Sequence, residues 1–192
     1  NALYDIDKNI YLDAVIQKSR KANEHRALTE MVDRSEIRHA LVIADRGYES
    51  YNNIAHVQEK GWKFLIRVKD GKYGICDKLA LPPTDCFDFK VELSLTRKQT
   101  NKAKKLFREP NRYRFIPTNT NFDYLHPRSS CRDSMKFYTL FFRVVRFKIT
   151  NDSYETVITN LDKETYPPER IKELYAMRWG IETSFRKLKY TI

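Results

Sequence analysis

The segment HALVIAD, residues 39–45, decides how this chain folds. Its apolar run is continuous and not alternating, which is typical of a strand buried on both faces of a sheet. Ser50 can cap a helix after it, and Gly61 can end that helix. The next apolar run, WKFLIRV over residues 62–68, predicts a second buried strand. Strand, helix and strand in this order predict a sheet that helices cover on both faces.

The residues before this segment predict a hairpin and one helix. Residues 2–6 and 10–16 have the composition of strands, and the turn-forming Asp-Lys-Asn between them favours an antiparallel pair. Asn23 can cap a helix that runs to about residue 32. The order strand, strand, helix, strand, helix, strand predicts an α/β fold with a mixed sheet.

The character of the chain changes between residues 69 and 161, where prolines and polar residues separate segments of alternating polarity. The basic, asparagine-rich stretch 98–121 predicts loop with some helix. We therefore expect a β-rich insertion subdomain over residues 69–161, set into a core made of residues 1–68 and 162–192. Segments within the insertion that predict strands of an antiparallel sheet are residues 87–95, 135–149 and 154–161.

Residues 168–190 predict a long final helix, which begins with prolines and an acidic residue that suit a helix N-terminus. At about 100° per residue, one apolar stripe predicts its core face: Ile171, Leu174, Ile181, Phe185 and Leu188. Polar residues fall within about 60° of one another along the edge of that stripe: Tyr175, Arg178, Glu182 and Lys189. Taken alone, this pattern is explained more simply by ordinary pairing of Arg178 with Glu182 on an exposed helix face.

The formal net charge is +11 and the pI about 9.5, which suit a polyanionic partner, most simply nucleic acid. A merely soluble basic protein would show the same balance. A local basic run over residues 97–108 fits either a segment that tracks DNA or a solvated loop. No apolar run approaches the length of about 20 residues that a membrane span needs. Cys76, Cys86 and Cys131 form no C-x-x-C pair, which argues against a structural zinc site and fits a reduced cytosolic protein.

Asp45 ends the most apolar of the predicted strands. In open α/β sheets, ligands bind just beyond the carboxyl ends of strands, although an aspartate there can simply cap a turn. If the final helix crosses the sheet near that end, Asp45 and Glu182 meet in a basic surrounding. Two carboxylates there suit Mg²⁺ or Mn²⁺, since these hard cations take oxygen ligands and phosphate oxygens complete the shell. Paired ions about 3.5–4 Å apart can activate a nucleophile and stabilise a leaving oxygen.

Three features together resemble the DDE transposases of the insertion-sequence-four family. Residues 2–5 (ALYD) with 11–14 (YLDA) look like two of that family's core strands. Residues 43–50 (IADRGYES) look like its second catalytic-aspartate segment. The resemblance covers nearly the whole chain and is weakest over residues 69–154. Its most specific part is a signature with gaps of two, three and six residues: Tyr175, Arg178, Glu182 and Lys189.

The resemblance implies a ribonuclease-H-like fold: three antiparallel strands, a helix, a strand, a helix, a strand and a final helix. It also implies an insertion between the last core strand and that helix, where the sequence predicts one. The family's first strand, which carries the first aspartate of the catalytic triad, finds no match in this chain. We therefore expect the first catalytic aspartate upstream of Asn1, and we expect this fragment to be inactive and to bind metal weakly.

The resemblance also implies roles for individual residues. Asp45 and Glu182 would bind Mg²⁺ or Mn²⁺, with two ions in the complete enzyme, for strand cleavage and transfer at transposon ends. Arg46 and Trp179 neighbour the motif residues and are expected to touch DNA, although Trp179 fits a packing role equally well. The residues implied to hold DNA phosphates beside the ions are Tyr175, Arg178 and Lys189.

The implied partner is double-stranded DNA, both transposon ends and target, with no membrane, for a bacterial cytoplasmic protein associated with the nucleoid. A homodimer is expected of the full-length protein on DNA. Two alternatives stay open. A nuclease of the same fold would stop at hydrolysis, and a DNA-binding module from a decayed element would bind without cutting.

Overall fold

A computed structural model describes residues 1–18, 20, 22–126 and 136–191. Cys131 and the start of the strand predicted from residue 135 lie outside these residues. Within this part of the chain, no helix combines the length and the apolar character that crossing a bilayer requires. A one-turn 3₁₀ helix, Arg46–Tyr48, follows the third strand. In chain order the other elements are β1 (Ala2–Asp5), β2 (Ile10–Ala14), α1 (Glu24–Arg34), β3 (Leu41–Ala44), α2 (Tyr51–Glu59), β4 (Lys63–Arg67), β5 (Phe87–Thr96), α3 (Asn101–Leu106), β6 (Tyr113–Phe115), β7 (Tyr138–Thr150), β8 (Ser153–Thr159), α4 (Pro168–Ala176) and α5 (Trp179–Thr191).

A mixed sheet has the strand order β3-β4-β8-β7-β5-β6. β3 and β4 run parallel, as do β5 and β6, and the other neighbours pair antiparallel. The predicted α/β class, with a mixed sheet flanked by helices, is confirmed. β8 pairs with β4, where Thr159 lies opposite Leu65, so strands of the predicted insertion continue the sheet that contains β3. The division into a core and an insertion subdomain over residues 69–161 stays a prediction.

Each face of the sheet buries its own apolar cluster. Successive side chains of a strand point to opposite faces, so Phe64 of β4 joins the larger cluster and Leu65 the smaller one. α1 and α2 cover the larger cluster with side chains such as Leu28 and Ile54. α4 covers the smaller cluster, in which Ile171 is fully buried. Burial of each such side chain contributes about 1.5–3 kcal/mol, and this fixes α4 on the surface of β4, β8 and β7.

The predicted starts of α1 and α2 and the predicted end of α2 are confirmed. Asn23 caps α1, where its side chain accepts a hydrogen bond from Arg26 N at 3.0 Å. Ser50 caps α2 by accepting one from Asn52 N at 3.2 Å. Gly61 follows α2 with a φ of +72°, a left-handed conformation that glycine adopts without steric cost. Ser50 and Gly61 therefore fix where α2 begins after β3 and where it ends before β4.

β1 and β2 form the predicted antiparallel hairpin, as a small sheet of their own. The hairpin lies against the rest of the molecule, because Leu3 packs on the larger cluster and Tyr48 Oη donates a hydrogen bond to Asn1 Oδ1 at 2.9 Å. Among the described residues, β1 pairs with β2 alone and β3 with β4 alone. Each of these two strands therefore presents one unpaired edge.

The final helix is not continuous as the sequence predicted, because it breaks between α4 and α5. The backbone N–H groups of Met177 and Arg178 bond to carbonyls three residues back, a tighter turn than that of an α-helix. After the break α5 packs on the hairpin, where the ring centroids of Tyr11 and Phe185 are 5.7 Å apart. The predicted core stripe is therefore wrong in its second half, since Phe185 and Leu188 are 41% and 44% exposed.

Candidate metal and DNA site

Asp45 stands directly after β3, at the carboxyl end of an edge strand. Its Oδ1 accepts a hydrogen bond from Arg46 N at 2.7 Å, so it caps the 3₁₀ helix that follows. The residue is exposed, and the cap uses one of the two carboxylate oxygens. A turn cap and a metal ligand are therefore compatible roles for Asp45.

Tyr175, Arg178 and Glu182 form a cluster at the break between α4 and α5, called here the break cluster. The Arg178 guanidinium donates a hydrogen bond to Glu182 Oε1. It lies 4.7 Å from the Trp179 ring and 5.8 Å from the centroid of the Tyr175 ring, within the range of cation–π attraction. Only 9% of Arg178 and 4% of Tyr175 is exposed. The break thus buries a charged side chain between two rings and a carboxylate.

Asp45 interacts electrostatically with the break cluster. Burial disfavours the charge on Arg178, but the hydrogen bond to Glu182 and the charge of Asp45 help to outweigh burial and raise the guanidinium pKa. Burial raises the pKa of Tyr175 to about 12, with Arg178 opposing the shift and Asp45 adding to it. Ile43, two residues before Asp45, packs on the smaller cluster, which contains Tyr175.

Two polar atoms of the break cluster have no hydrogen-bond partner among the described residues. They are the Tyr175 hydroxyl and Arg178 Nε, and both are buried. Buried polar groups are nearly always paired in folded proteins, and leaving one unpaired is costly. The cluster therefore has donor capacity for oxygen atoms that a ligand brings.

Two further residues that were predicted to contact DNA, Lys189 and Arg46, lie outside the break cluster. Lys189 is exposed in the last turn of α5, about 10 Å along the helix from Glu182. Arg46 is exposed in the 3₁₀ helix, next to Asp45. Both are exposed to solvent, unlike the enclosed Arg178.

Arg67 belongs to the same site and was missed by sequence reasoning. It ends β4, and the parallel register of β3 with β4 places it level with Asp45. Its charge opposes the rise in the pKa of Tyr175, and its guanidinium lies 3.5 Å from the Glu155 carboxylate. The sequence contained a signal for it, since Arg67 stands near the end of WKFLIRV as Asp45 stands at the end of HALVIAD. If the two strands are parallel neighbours, their carboxyl ends lie at the same edge of the sheet, and so do these two residues.

The metal ligands that the sequence predicts are the carboxylates of Asp45 and Glu182. Oxygen donors are what Mg²⁺ and Mn²⁺ prefer, so Asp45 and Glu182 fit such an ion chemically. Within the described ranges, no group of three or more His, Cys, Asp or Glu side chains is placed to hold a metal ion. The contact between Arg178 and Glu182 must also open before that glutamate oxygen can bind an ion.

The basic run of residues 97–108 lies far from the site. The strand register across β4, β8, β7 and β5 places the start of β5 level with Arg67. The end of β5 lies about 25 Å further along that strand. α3 follows that distant end with exposed lysines. Arg97 is buried and donates hydrogen bonds to backbone carbonyls between residues 117 and 125, so it organises a loop. The run therefore does not line the site.

A comparison with known protein families matches the model described as Transposase DDE domain over residues 1–191. No curated protein and no solved structure was found to match. The mixed sheet flanked by helices is consistent with the ribonuclease-H-like fold of such transposases, which bind and transfer DNA and generally use divalent metal ions. Because the match spans nearly all of its residues, the chain belongs to the transposase DDE domain family.

Proposed function

We propose that this protein is a DNA transposase of the insertion-sequence-four type, which cuts and joins strands at transposon ends. The observation that supports the proposal is that the charge of Asp45, at the carboxyl end of β3, acts on both Tyr175 and Arg178 of the break cluster. Carboxylates, a guanidinium and a phenol at one place suit a phosphodiester substrate together with hard cations.

Asp45 and Glu182 hold Mg²⁺ or Mn²⁺ in this proposal, with two ions in the complete enzyme. Such ions would supply activation of an oxygen nucleophile and charge stabilisation of the leaving oxygen. The chain's own task is positioning. Its carboxylates fix the place of the ions, and its cationic side chains fix the scissile phosphate relative to them.

Arg178 is the main phosphate-binding residue in this proposal. The rings of Tyr175 and Trp179 hold its planar guanidinium, so the fork that binds two phosphate oxygens is oriented before DNA arrives. The unpaired Tyr175 hydroxyl and Arg178 Nε would gain partners when a phosphate enters. Lys189 and Arg46 would bind flanking phosphates, and each such contact makes the DNA affinity fall as salt rises.

A third carboxylate completes the ligand set in this proposal. Asp5 and Asp13 are engaged elsewhere, because Asp5 accepts N–H bonds within its own turn and Asp13 pairs with Arg34. The unpaired edges of β1 and β3 offer a place for one more strand, which would carry the third carboxylate.

We expect the complete protein to act as a homodimer, because transposases of this kind act on paired ends. We also expect it in the bacterial cytoplasm, associated with the nucleoid, where both of its DNA partners are found.

Cleavage of labelled end DNA tests the proposal. With Mn²⁺, the complete protein should cut the ends of the element that encodes it. Glu182→Gln keeps the shape of the side chain and removes its charge, so it should cut at least about a hundredfold more slowly. Asp45→Asn should show a similar loss.

Glu173→Gln is the matched control. Glu173 also pairs with an arginine, Arg170, at 2.7 Å, but on an exposed face of α4. This variant should cut like the parent. If the parent and Glu182→Gln both bind DNA equally and neither cuts, the protein is a DNA-binding module without catalysis. Cutting without joining in a strand-transfer assay would make it a nuclease.

A further inference from the structure

The chain forms a loop beside Asp45 as it leaves β4. β3 and β4 run parallel and end in register, so the loop starts about 10 Å or less from Asp45, measured between Cα atoms. The loop spans residues 69–75, and its tip has the sequence DGKY, residues 70–73. Every residue of that tip is exposed.

One carboxylate fixes both ends of this loop. Glu49, in the segment that follows Asp45, accepts hydrogen bonds from Lys69 N at 2.8 Å and from Ile75 N at 2.5 Å. Arg114 donates a hydrogen bond to the Ile75 carbonyl at 2.8 Å, and the Ile75 side chain is buried in the larger cluster. The tip therefore projects from a fixed base next to the site.

Tyr73 is the aromatic residue of the tip, and its conformation is unusual. It is 90% exposed, and its φ is +73°, a left-handed conformation that is unfavourable for a residue with a Cβ atom. A ring so exposed buries little apolar surface, and its described contact is the Lys69 ammonium, 5.7 Å from its centroid. Strained residues that gain so little within the fold concentrate where a ligand is bound.

The chemistry around this ring favours nucleic acid as the ligand. Lys69 and Lys72 flank it, together with a single acid, Asp70. Proteins that bind single strands combine aromatic rings, on which bases stack, with cations that follow the backbone. We propose that Tyr73 stacks on an unpaired base of the DNA strand held at the Asp45 site, with Lys72 on an adjoining phosphate. This rests on the proposed function and adds to it the state of the DNA that is bound.

The base must be unpaired for a physical reason. Away from the ends of an intact duplex, each base is covered on both faces by its neighbours, so a ring at a loop tip finds no free face. A base that has left the helix offers one, and leaving costs least where the strand is already single or its pairing is damaged. Cleavage at an end produces such a strand, so the contact would favour the cut DNA over the intact duplex.

Three variants separate stacking from folding. Tyr73→Gly removes the ring and also relieves the left-handed strain, so its thermal midpoint should equal or exceed that of the parent. Tyr73→Phe keeps the ring and removes the hydroxyl. Phe141→Ala is the control. It removes another exposed ring, which lies on β7 opposite Glu92 of β5 and not beside Asp45.

Binding of the complete protein is measured with Ca²⁺ in place of Mn²⁺, by fluorescence anisotropy, on two DNAs of the same end sequence. One is a blunt duplex, and the other carries a short single-stranded 3′ extension. Tyr73→Gly should bind the extended DNA about tenfold more weakly and the blunt DNA less than about twofold more weakly. Tyr73→Phe and Phe141→Ala should bind both as the parent does.

The outcomes separate this inference from the proposed function. If the parent prefers the extended DNA and Tyr73→Gly keeps that preference, Tyr73 does not stack on the strand, while the proposed function stands. If Tyr73→Gly binds both DNAs normally but sediments as a different oligomer, the tip contacts protein and the inference is wrong. If the parent binds neither DNA, the proposed function and the inference fail together.

Discussion

Arg178 contacts the Glu182 carboxylate. Its positive charge favours binding of DNA phosphate and disfavours binding of a metal cation by Glu182. A unit charge about 4 Å away repels a divalent cation by about 2 kcal/mol in water and by more where solvent is excluded. Arg178→Gln should therefore raise the Mn²⁺ affinity of the protein about fivefold or more. The same change should lower its affinity for end DNA about tenfold, because a charge-assisted bond to phosphate is lost. Titration followed by electron paramagnetic resonance measures the first change, and fluorescence anisotropy measures the second.

Arg170→Gln is the control for this prediction. Its guanidinium also pairs with a glutamate, Glu173, but both side chains are more than half exposed. Neither affinity should change by more than about twofold, as is typical of an exposed pair. Equal Mn²⁺ affinity in Arg178→Gln and the parent would show that Arg178 does not restrain Glu182.

At the scale of elements, two glycines test what ends α2 and how closely α5 approaches the hairpin. Gly61 has a φ of +72°, so Gly61→Ala should lower the free energy of unfolding by about 1 kcal/mol.

A Cβ on Gly180 would lie 3.4 Å from Ile6 Cγ2, an ordinary contact, so Gly180→Ala should raise the free energy of unfolding by up to about 1 kcal/mol. Urea denaturation measures both changes. A loss of stability in Gly180→Ala would mean that α5 and the hairpin leave no room for a methyl group.

Elements with a strong local pattern could be predicted from the sequence, and the break between α4 and α5 could not. The strands at HALVIAD and WKFLIRV are continuous apolar runs, and the caps at Asn23 and Ser50 are signals of single residues. The break has no such signal, because apolar spacing typical of a helix continues through Met177. At the break Arg178 packs locally on the Tyr175 and Trp179 rings, and the tertiary contact that follows it is the packing of α5 on the hairpin.

Some residues of the candidate site could likewise be predicted from the sequence, and others could not. Chemistry and spacing single out Asp45, Arg178 and Glu182, and in the fold the charge of Asp45 acts on the Arg178 guanidinium that contacts Glu182. Arg67 and Tyr73 need the fold, because the first depends on which strands are neighbours and the second on a backbone angle. Neither property can be read from the periodicity of one chain.

At the scale of the whole molecule, one network of side chains fastens the middle of the chain to the helices on the larger cluster. His56 of α2 lies between two carboxylates, with Nδ1 2.8 Å from Asp33 Oδ1 and Nε2 2.9 Å from Asp123 Oδ2. Asn52 adds two bonds to Asp123, one to its carboxylate and one from its backbone N–H. Because Asp33 belongs to α1 and Asp123 follows β6, the network joins segments far apart in sequence.

This network gives stability a dependence on pH that can be assigned to one residue. Burial acts to raise the pKa of the Asp123 carboxyl, but hydrogen bonds from Asn52 and His56 outweigh it and hold that pKa below its ordinary value of 3.8. A carboxyl with a lowered pKa stabilises the folded state fully above its unfolded pKa, and this contribution is lost as pH falls through the folded pKa. From about pH 4.5 down to pH 2.5, the free energy of unfolding of the parent should therefore fall more steeply than that of Asp123→Asn.

Urea denaturation at several pH values across that range measures the two slopes. Asp152→Asn, in the exposed turn between β7 and β8, is the matched control and should follow the parent. At neutral pH Asp123→Asn should already be less stable, because an amide replaces the charged acceptor that faces His56. If the slopes of Asp123→Asn and the parent coincide, the carboxylate gains nothing on folding. The attachment of the middle segment would then depend on its apolar contacts, such as those of the buried Phe122 and Leu125 with the larger cluster.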